Sequence, residues 1–474
     1  MKIPAEIKKI LNQLEKHNFS AFLVGGCVRD LLRGIGPKDY DIATDATPEE
    51  IIKIFPDNFY ENDFGTVTVN GSVEITPYRK EGRYSDKRHP DKIQWAKTIE
   101  EDLSRRDFTV NAMAADSKLA VIDPFGSRQD LKNKLIRAVG SPDDRFSEDA
   151  LRMIRAVRLA SVLGYEIEAE TKKAISKNAK LIKAVSAERI RDEFVKIIMS
   201  DNAYPGIEMM RSLGLLRYTI PEIEEGYGVS QNKHHSYDCY QHSLYALKYA
   251  TEKKFNFHVR VASLLHDVGK PRSKRGEGKN STFYGHEVIG ARMTEKILNR
   301  LKFKKSDIER IVKLVRYHLF YYNVDEVTES SVRRLVRKVG PEAISELLEV
   351  RMADRIGSGV PKAEPYKLRH LKYIIEKISK DPISVKNLKI NGEDIKKILN
   401  SGPGPKIGFI LDILLGLVID DPKLNKKSVL AKEAKKLAEM TEKELKSVAL
   451  QSRQKRDRIV NKEDKMTKQK YWVT

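Results

Sequence analysis

The sequence predicts an α+β protein, in which a small mixed β-sheet with helices comes first and an almost entirely helical chain follows. Strand signals, which are runs of Val, Ile and Thr such as "AFLVGG", "DYDIAT", "GTVTVNGSVEITPY" and "LAVIDPFG", are confined to about residues 20–125. After Asp143, apolar residues recur at spacings of three and four, which is typical of amphipathic helices. At 474 residues, the chain is long enough for about three domains of ordinary size.

Individual segments refine this picture. Asn70-Gly71, between two strand-like runs, predicts a hairpin turn. The first segment, "MKIPAEIKKILNQLEKHN", has the pattern of an amphipathic helix and lacks the apolar core of a signal peptide. The most apolar stretch, residues 407–419, is too short to cross a bilayer and contains Asp412, which favours a buried helix. The Lys/Arg-dense end of the chain predicts a frayed tail.

The charge balance points to a polyanionic partner. The chain has 88 Lys and Arg against 67 Asp and Glu, a formal net charge of +21. Such an excess favours nucleic acid, because basic side chains displace counterions from phosphates, although charge alone does not choose between DNA, RNA and an anionic membrane. Two cysteines, Cys27 and Cys239, provide no disulfide framework and indicate a reducing compartment. We therefore expect a soluble, cytoplasmic protein.

A glycine turn followed by paired acids forms the first candidate site. Gly25-Gly26 lets backbone amides approach a phosphate at the start of a helix, and Arg29 adds a charge nearby. Asp39 and Asp41 lie two apart in a predicted strand and so project to the same side, where a cation such as Mg²⁺ would relieve their repulsion. These are the parts needed for phosphoryl transfer with two metal ions. The structural alternative is a tight turn followed by a solvated acidic loop.

Two later segments carry paired charges. Arg106 and Asp107 precede a short apolar run and Asn111, and they suit either a ribose or phosphate contact or a surface ion pair. Further on, Ser147 predicts a helix start with Glu148 and Asp149 in its first turn, which places Asp149 and Arg152 three apart on one helix face. An isolated pair of this kind is usually an intrahelical salt bridge.

Beside a nucleotide site, the same pair has a second interpretation. Asp only accepts and Arg only donates hydrogen bonds. Cytosine and adenine present an amino donor beside a ring acceptor, whereas uracil and guanine present the reverse. One Asp/Arg pair can therefore accept C and A and reject U and G, because a mismatch leaves buried polar groups unpaired.

The helical middle of the chain contains a second set of candidate ligands. A lone His on a helix is usually structural, but His266-Asp267 closes an apolar helix, where a buried acid needs a partner. Imidazole and carboxylate together suit Mn²⁺, Co²⁺, Ni²⁺ or Fe²⁺. The set comprises His242, His266, Asp267, His286, His318 and Asp354.

Seven segments together resemble the class II tRNA nucleotidyltransferases, which are the CCA-adding enzymes and their bacterial poly(A) polymerase relatives. The segments are "LVGGCVRDLLRG", "DYDIAT", "EITPYRKEGRYSDKRHP", "RRDFTVNAMA", "IDPFGSRQDL", "EDALRMIRAVR" and "SAERIRDEF", in the family's order over roughly residues 20–195. The resemblance implies a polymerase-β-like nucleotidyltransferase head followed by helical neck, body and tail domains. It implies tRNA, ATP and CTP as partners and neither DNA nor a membrane.

The resemblance also implies residue roles. Asp39, Asp41 and Glu74 would be catalytic acids, with the two aspartates holding Mg²⁺. Residues 79–92 correspond to the family's flexible loop for switching from C to A addition, and Glu148, Asp149 and Arg152 to the base-reading template. The implied nucleotide-binding residues are Gly25, Gly26, Arg29, Arg106, Asp107, Asn111, Glu148, Asp149, Arg152 and Arg155.

Residues 236–360 resemble the HD phosphohydrolase superfamily. By this resemblance, His242, His266, Asp267 and Asp354 would hold one metal ion, such as Mn²⁺, Ni²⁺ or Co²⁺, while His286 and His318 complete a second site or bind phosphate. Some bacterial CCA-adding enzymes carry such a domain and act as phosphatases or 2′,3′-cyclic phosphodiesterases. A degenerate HD fold without catalysis is the alternative.

The resulting hypothesis is a template-independent enzyme that adds C, C and then A to tRNA 3′ ends, with an additional HD phosphohydrolase activity. Alternatives are an A-adding enzyme, a poly(A) polymerase, and, from another class, an HD nucleotide or RNA phosphohydrolase with an RNA-binding head. The expected domains are a head at 1–137, a neck at 138–200, a connector at 201–235, the HD domain at 236–360, a tRNA-binding tail at 361–440 and a basic extension at 441–474.

Overall fold

The computed structural model describes residues 3–61, 65–81, 93–231, 236–379, 385, 388–400 and 402–473. The chain divides into two compact units, the first formed by Met1–Leu319 with Ser345–Ala363 and the second by Phe320–Ile344 with Glu364–Thr474. The α+β prediction is confirmed, because the strands of the main sheet all lie before residue 125 and helices dominate the remainder. Most of the loop predicted at 79–92 lies outside the described residues.

The head is built on a seven-stranded mixed sheet in the order β3-β4-β5-β2-β1-β8-β9, with β2 and β5 parallel and the other neighbours antiparallel. Asn70 and Gly71 both have positive φ between β4 and β5, which confirms the hairpin. The strands are β1 Ala21–Val24, β2 Asp41–Thr44, β3 Asn58–Glu61, β4 Thr66–Val69, β5 Val73–Pro77, β6 Arg79–Glu81, β7 Ile93–Trp95, β8 Ala114–Ala115, β9 Val121–Ile122, β10 Leu135–Ile136 and β11 Glu166–Ile167.

Alternation along the strands divides the head core into two layers. Leu23 and Ile42 face one layer, which also contains Leu11 of the N-terminal helix. Val24 and Ala43 face the other layer, against Leu103. The helices of the head are α1 Ala5–Lys16, α2 Gly26–Leu32, α3 Pro48–Ile54, α4 Ile99–Ser104 and α5 Ser127–Asn133. Because side chains alternate, Asp41 and Glu74 lie on the same side of the sheet as Ala43.

Helices make up nearly all of the rest of the first unit. They are α6 Pro142–Glu148, α7 Leu151–Leu163, α8 Ala169–Asn178, α9 Ala187–Met199, α10 Ala203–Ser212, α11 Leu216–Thr219, α12 Pro221–Glu224, α13 Cys239–Glu252, α14 Phe257–Leu265, α15 Lys270–Ser273, α16 His286–Arg300, α17 Lys305–Tyr317 and α19 Ile344–Gly357. Buried Arg260 of α14 donates to the carbonyls of Ile198 (3.1 Å) and Ser200 (3.0 Å), which fixes α14 to the end of α9.

The second unit contains α18 Glu329–Val339, α20 Tyr366–Ser379, α21 Gly392–Leu399, α22 Pro405–Asp420, α23 Lys427–Ala438 and α24 Glu442–Tyr471. The apolar stretch at 407–419 forms the buried helix that was predicted, and Asp412 accepts from Nε of Arg453 on α24 (2.7 Å). The prediction of a frayed tail is wrong, because α24 continues to Tyr471 and buries Thr467 near its end. Among the described residues, no helix has both the length and the apolar character needed to span a bilayer.

Gly269 packs tightly against the backbone of α16, which begins at His286. A Cβ at this position would lie 2.3 Å from the carbonyl oxygen of His286 and 2.5 Å from the amide nitrogen of Gly290, both of which are backbone atoms. We expect Gly269→Ala to lower the free energy of unfolding by about 1–3 kcal/mol, the usual cost of overpacking. Urea unfolding provides the measurement. Gly36→Ala is the matched control, since no atom lies within 4 Å of its added Cβ, and equal effects of the two substitutions would contradict the packing argument.

Candidate active site and metal centre

A tight turn joins β1 to α2 at Gly25-Gly26. Gly25 has a φ of +75° and its N–H donates to the carbonyl of Met113 (3.3 Å). A Cβ on Gly25 would lie 2.7 Å from Nη1 of Arg106 and 3.8 Å from Oδ2 of Asp41. The turn therefore favours glycine mainly for its backbone angle, and a side chain here would also displace the guanidinium of Arg106.

The acids predicted to bind Mg²⁺ lie next to this turn. Strand β2 begins at Asp41, so Asp39 precedes the strand, and the strand-alternation argument for this pair is wrong. Glu74 lies opposite Asp41 in the parallel register of β2 and β5. Burial raises the pKa of Asp41, the charge of Arg106 lowers it, and the charge of Asp39 raises it further, with a net upward shift. Repulsion between two such carboxylates favours a divalent cation bound between them.

Arg29 and Asn111 are brought together, as the nucleotide-site interpretation requires. Nη1 of Arg29 donates to Oδ1 of Asn111 (2.7 Å), and its Nη2 pairs with Asp30 (2.9 Å). Arg106 pairs with Asp102, which is 1% exposed and lies 3.4 Å away. Sequence reasoning missed Asp30 and Asp102. Both orient guanidinium groups at the turn.

Asp107 pairs with the helical region that follows the head. Its Oδ2 lies 2.6 Å from Nη2 and 2.7 Å from Nε of Arg155 on α7, while Oδ1 accepts from the backbone N–H of Phe108 (2.9 Å). Burial raises the pKa of Asp107, but the charge and hydrogen bond of Arg155, together with the charges of Arg152 and Arg158, lower it below its usual value. This ion pair connects the head to α7.

The predicted template residues lie at a break between two helices. The prediction that a helix starts at Ser147 is wrong, because α6 ends at Glu148 and α7 begins at Leu151. Asp149 is extended, with φ −143°, and its Oδ1 accepts from the N–H of Leu151 (3.0 Å). The break aims the Asp149 carboxylate at α9, where Oδ2 lies 2.6 Å from Nη2 of Arg189.

Arg152 is held by Glu148, with which it forms an ion pair, and by the carbonyl of Arg145 (3.3 Å). Arg145 also pairs with Glu148 (3.0 Å) and reaches the carbonyl of Arg105 (3.4 Å). Arg158 of α7 pairs with buried Glu193 of α9 (2.7 Å). Sequence reasoning assigned no role to Arg189 or Glu193, although both occur in the segment "SAERIRDEF".

The histidines and aspartates of the middle region form two clusters of buried ligand atoms, with Asp267 in both. In the first, Nε2 of His242 lies 2.9 Å from Nε2 of His266, 2.9 Å from Oδ2 of Asp267 and 3.4 Å from Oδ1 of Asp354. Ligand atoms about 2.1 Å from one ion are about 3.0 Å apart at right angles and about 3.4 Å apart at tetrahedral angles. These residues therefore fit a single divalent metal ion.

The second cluster uses the other oxygen of Asp267. Its Oδ1 lies 3.3 Å from Nε2 of His286 and 3.6 Å from Nε2 of His318. Nδ1 of His266, His286 and His318 lies 2.8, 2.7 and 2.7 Å from the carbonyls of Ser263, Phe283 and Val315, respectively. Each Nδ1 can therefore donate to a backbone carbonyl, which leaves Nε2 of each ring facing Asp267 as the potential ligand atom.

The aspartates of these clusters are ionised. Burial raises the pKa of Asp267, but the charges of His266 and Lys270 bring it well below the usual range. Burial likewise raises the pKa of Asp354, and hydrogen bonds from His242 and His266 bring it well below. Nζ of Lys270 lies 2.6 Å from Oδ2 of Asp267. Imidazole and carboxylate donors of this kind suit Mn²⁺, Co²⁺, Ni²⁺ or Fe²⁺.

The clusters open into a cavity of about 760 Å³. Its lining includes the ligands Asp267, His286, His318 and Asp354. Lys270, Arg351 and Arg355 add positive charge to the walls. Arg351 also holds Asp354 through Oδ2 (2.6 Å), which leaves Oδ1 facing the histidines. An anionic ligand such as a phosphate ester fits these charges.

Fold and sites together define a nucleotidyltransferase head and an HD-type metal centre in one chain. Three family descriptions match the chain: "Poly A polymerase head domain" at residues 21–137, "Probable RNA and SrmB- binding site of polymerase A" at 164–226 and "HD domain" at 235–358.

Curated relatives match over almost the whole chain. A CCA-adding enzyme of Ligilactobacillus salivarius is 34% identical over 450 residues, covering 92% of this chain and 98% of that protein. An A-adding tRNA nucleotidyltransferase of Deinococcus radiodurans is 32% identical over 413 residues, covering 83% and 90%, respectively. The chain therefore belongs to the tRNA nucleotidyltransferase family that includes these enzymes, and the resemblance inferred from the motifs is confirmed.

Solved structures agree with this membership. The Bacillus stearothermophilus CCA-adding enzyme in complex with CTP has a TM-score of 0.59 and 26% identity, with 92% of this chain and 98% of that chain covered. The Thermotoga maritima CCA-adding enzyme complexed with tRNA has a TM-score of 0.52 and 19% identity, covering 91% and 95%. The second likeness shows the fold alone.

The contribution of the Asp107–Arg155 pair, which connects the head to α7, can be measured by substitution. We expect Asp107→Asn to lower the free energy of unfolding by about 1–3 kcal/mol at pH 7, because Arg155 loses its buried partner. A carboxyl group whose pKa is lower in the folded state stabilises the protein above its pKa in the unfolded state, about 3.9. This stabilisation is lost as the pH falls through the pKa of the folded state. The difference in the free energy of unfolding between the wild type and Asp107→Asn should therefore decrease below about pH 4.

Denaturant unfolding at several pH values measures this effect. Asp143→Asn is the matched control, because the Asp143–Lys177 pair (3.0 Å) is exposed, and little change is expected at any pH. If the wild type is more stable than Asp107→Asn by the same free energy at pH 3 as at pH 7, the ion-pair explanation is contradicted.

Proposed function

We propose that this protein adds C, C and A in turn to the 3′ end of tRNA from CTP and ATP, releasing pyrophosphate at each step. The observation that carries the proposal is the position of Asp41 next to Gly25, with Glu74 opposite it in the sheet and the charge of Asp39 raising its pKa. The CCA-adding enzyme of Ligilactobacillus salivarius, matched over 98% of its length, supports this choice of product.

In the proposed reaction, the tRNA 3′-oxygen forms a bond to the α-phosphorus of the nucleotide as the bond to pyrophosphate breaks. Asp39 and Asp41 would hold Mg²⁺, and Mg²⁺ stabilises negative charge on attacking and leaving oxygens when it is bound. Arg29, fixed by Asn111, and Arg106 lie where they can neutralise the triphosphate. The absence of side chains at Gly25-Gly26 would let phosphate oxygens approach the backbone amides closely.

Base choice would come from side chains in place of a template strand. Asp149 offers acceptors to the amino group of C or A, and Arg152 offers donors to the ring nitrogen. Both groups are fixed before a nucleotide arrives, Asp149 by Arg189 and Arg152 by Glu148. Such preorganisation favours C and A over U and G, because a mismatched edge leaves buried groups unpaired.

The expected division of the chain follows the same proposal. The head at 1–137 would carry the chemistry, the neck at 138–200 would read the base, and residues 201–235 would connect to the HD domain at 236–360. The tail at 361–440 and the basic extension at 441–474 would bind tRNA phosphates and shape. We place the reaction in the cytoplasm, where tRNA, CTP and ATP occur together.

A second activity, hydrolysis of phosphate esters, is favoured by the clustered ligands around Asp267. Water oxygen would form a bond to phosphorus as the ester bond breaks, and the leaving oxygen would take a proton. Mn²⁺, Ni²⁺ or Co²⁺ bound by His242, His266, Asp267 and Asp354 would supply Lewis acidity. Lys270 and Arg355, which line the cavity, would orient the phosphate.

Two substitutions separate the two proposed activities. We expect Asp41→Asn to reduce nucleotide addition at least about 10³-fold while phosphate-ester hydrolysis is retained, because only the head loses a ligand oxygen. We expect His266→Asn to abolish hydrolysis and lower bound transition metal while addition is retained. The assay supplies tRNAs that end at the discriminator base, at C and at CC with each nucleotide, and reads products at single-nucleotide resolution.

Asp57→Asn, an exposed acid in the same head, is the control for Asp41→Asn and should change neither activity. Thermal unfolding confirms that each variant is folded. Addition only to the CC end would make the protein an A-adding enzyme like its Deinococcus radiodurans relative, and a long A ladder would make it a poly(A) polymerase. Full addition by Asp41→Asn would overturn the proposed site.

A further inference from the structure

The cavity above Asp267 has a charged floor and a partly apolar rim. The floor consists of buried groups, including His286, His318 and Lys270, all less than about a tenth exposed. At the rim, the side chains of Tyr284 and Leu319 are 83% and 51% exposed, respectively. A ligand that matches both zones has an anionic end and a flat or apolar end.

Tyr284 is held on an anchored turn. The preceding residue, Phe283, is buried with its ring 5.7 Å from Nζ of Lys270, and its carbonyl accepts from Nδ1 (2.7 Å) and the backbone N–H (3.2 Å) of His286. The following residue, Gly285, has a φ of +72° and starts α16. An exposed aromatic ring thus sits between two residues tied to the metal cluster, so its backbone position is fixed relative to that cluster.

The cavity is larger than a phosphate group alone requires. Its volume of about 760 Å³ falls within the range of pockets that enclose whole small organic molecules. A nucleotide combines an anionic phosphate with a planar base, and bases stack on tyrosine rings. The distribution of charge and exposed aromatic surface therefore suits a nucleotide better than a small aliphatic phosphate.

We propose that Tyr284 is a specificity-determining residue of the HD site, on which the base of a nucleotide stacks while its phosphate lies against the metal-binding residues. This inference rests on the hydrolytic activity proposed for that site. Tyr284 touches the base and not the reacting phosphorus, so its loss weakens binding of base-containing substrates without changing the chemical step.

Two variants and two substrates test the assignment, with adenosine 3′-monophosphate carrying a base and 2-glycerophosphate lacking one. With Mn²⁺-, Ni²⁺- or Co²⁺-loaded protein, Tyr284→Ala should raise KM for the nucleotide about 5- to 100-fold with kcat nearly unchanged. Tyr284→Phe should stay within about twofold of wild type, because the stacking face is retained. Neither variant should alter hydrolysis of 2-glycerophosphate.

Tyr227→Ala is the matched control, since Tyr227 is 55% exposed and lies outside the lining of this cavity. An equal loss with both substrates in Tyr284→Ala would overturn the assignment and make the role structural. If the wild type hydrolyses neither substrate, the proposed hydrolytic activity is wrong. Calorimetric titration with the two compounds then tests separately whether a base stacks on Tyr284. Loss of nucleotide binding in Tyr284→Ala alone would support the stacking role of Tyr284. Equal nucleotide binding by all variants would overturn that role.

Discussion

The proposed nucleotide site depends on two carboxylate–guanidinium pairs, one between the head and the helices that follow it and one within those helices. Asp107 of the head pairs with Arg155 of α7, and Asp149, in the break before α7, pairs with Arg189 of α9. Breaking a pair of this kind leaves a desolvated charge behind, which costs far more than an exposed pair contributes. The pairs therefore hold Asp149 and α7, which carry the proposed base-reading groups, in fixed positions relative to the head.

The HD centre is organised by one shared carboxylate. Asp267 directs Oδ2 to His242 and His266 and Oδ1 to His286 and His318, so one side chain links both ligand clusters. The helix that ends at this residue, α14, is fixed to the end of α9 through Arg260. Each site thus rests on the same neck helix α9, which carries Arg189 at one end and meets α14 at the other.

Part of both sites could be predicted from the sequence, because the glycine turn and the histidine-aspartate pair leave local signals. All six candidate HD ligands were identified, and the structure brings them together. Glu74 came only from the family resemblance, and the structure places it opposite Asp41. It missed the partner of Asp149, since Arg189 lies 40 residues away and no local rule pairs them. The tail was also mispredicted, because exposed charges dominate its composition, whereas the structure continues α24 to Tyr471 and buries Thr467.

The central claim is that fixed side chains replace a template, and nucleotide affinity without tRNA tests it directly. Dissociation constants for CTP, ATP, GTP and UTP are measured with Mg²⁺ for the wild type and for Arg189→Met. CTP and ATP should bind the wild type at least about tenfold more tightly than GTP and UTP, and this gap should shrink in the folded variant, where Asp149 is no longer held. Equal binding of all four nucleotides by the wild type, or an unchanged gap in Arg189→Met, would contradict the account.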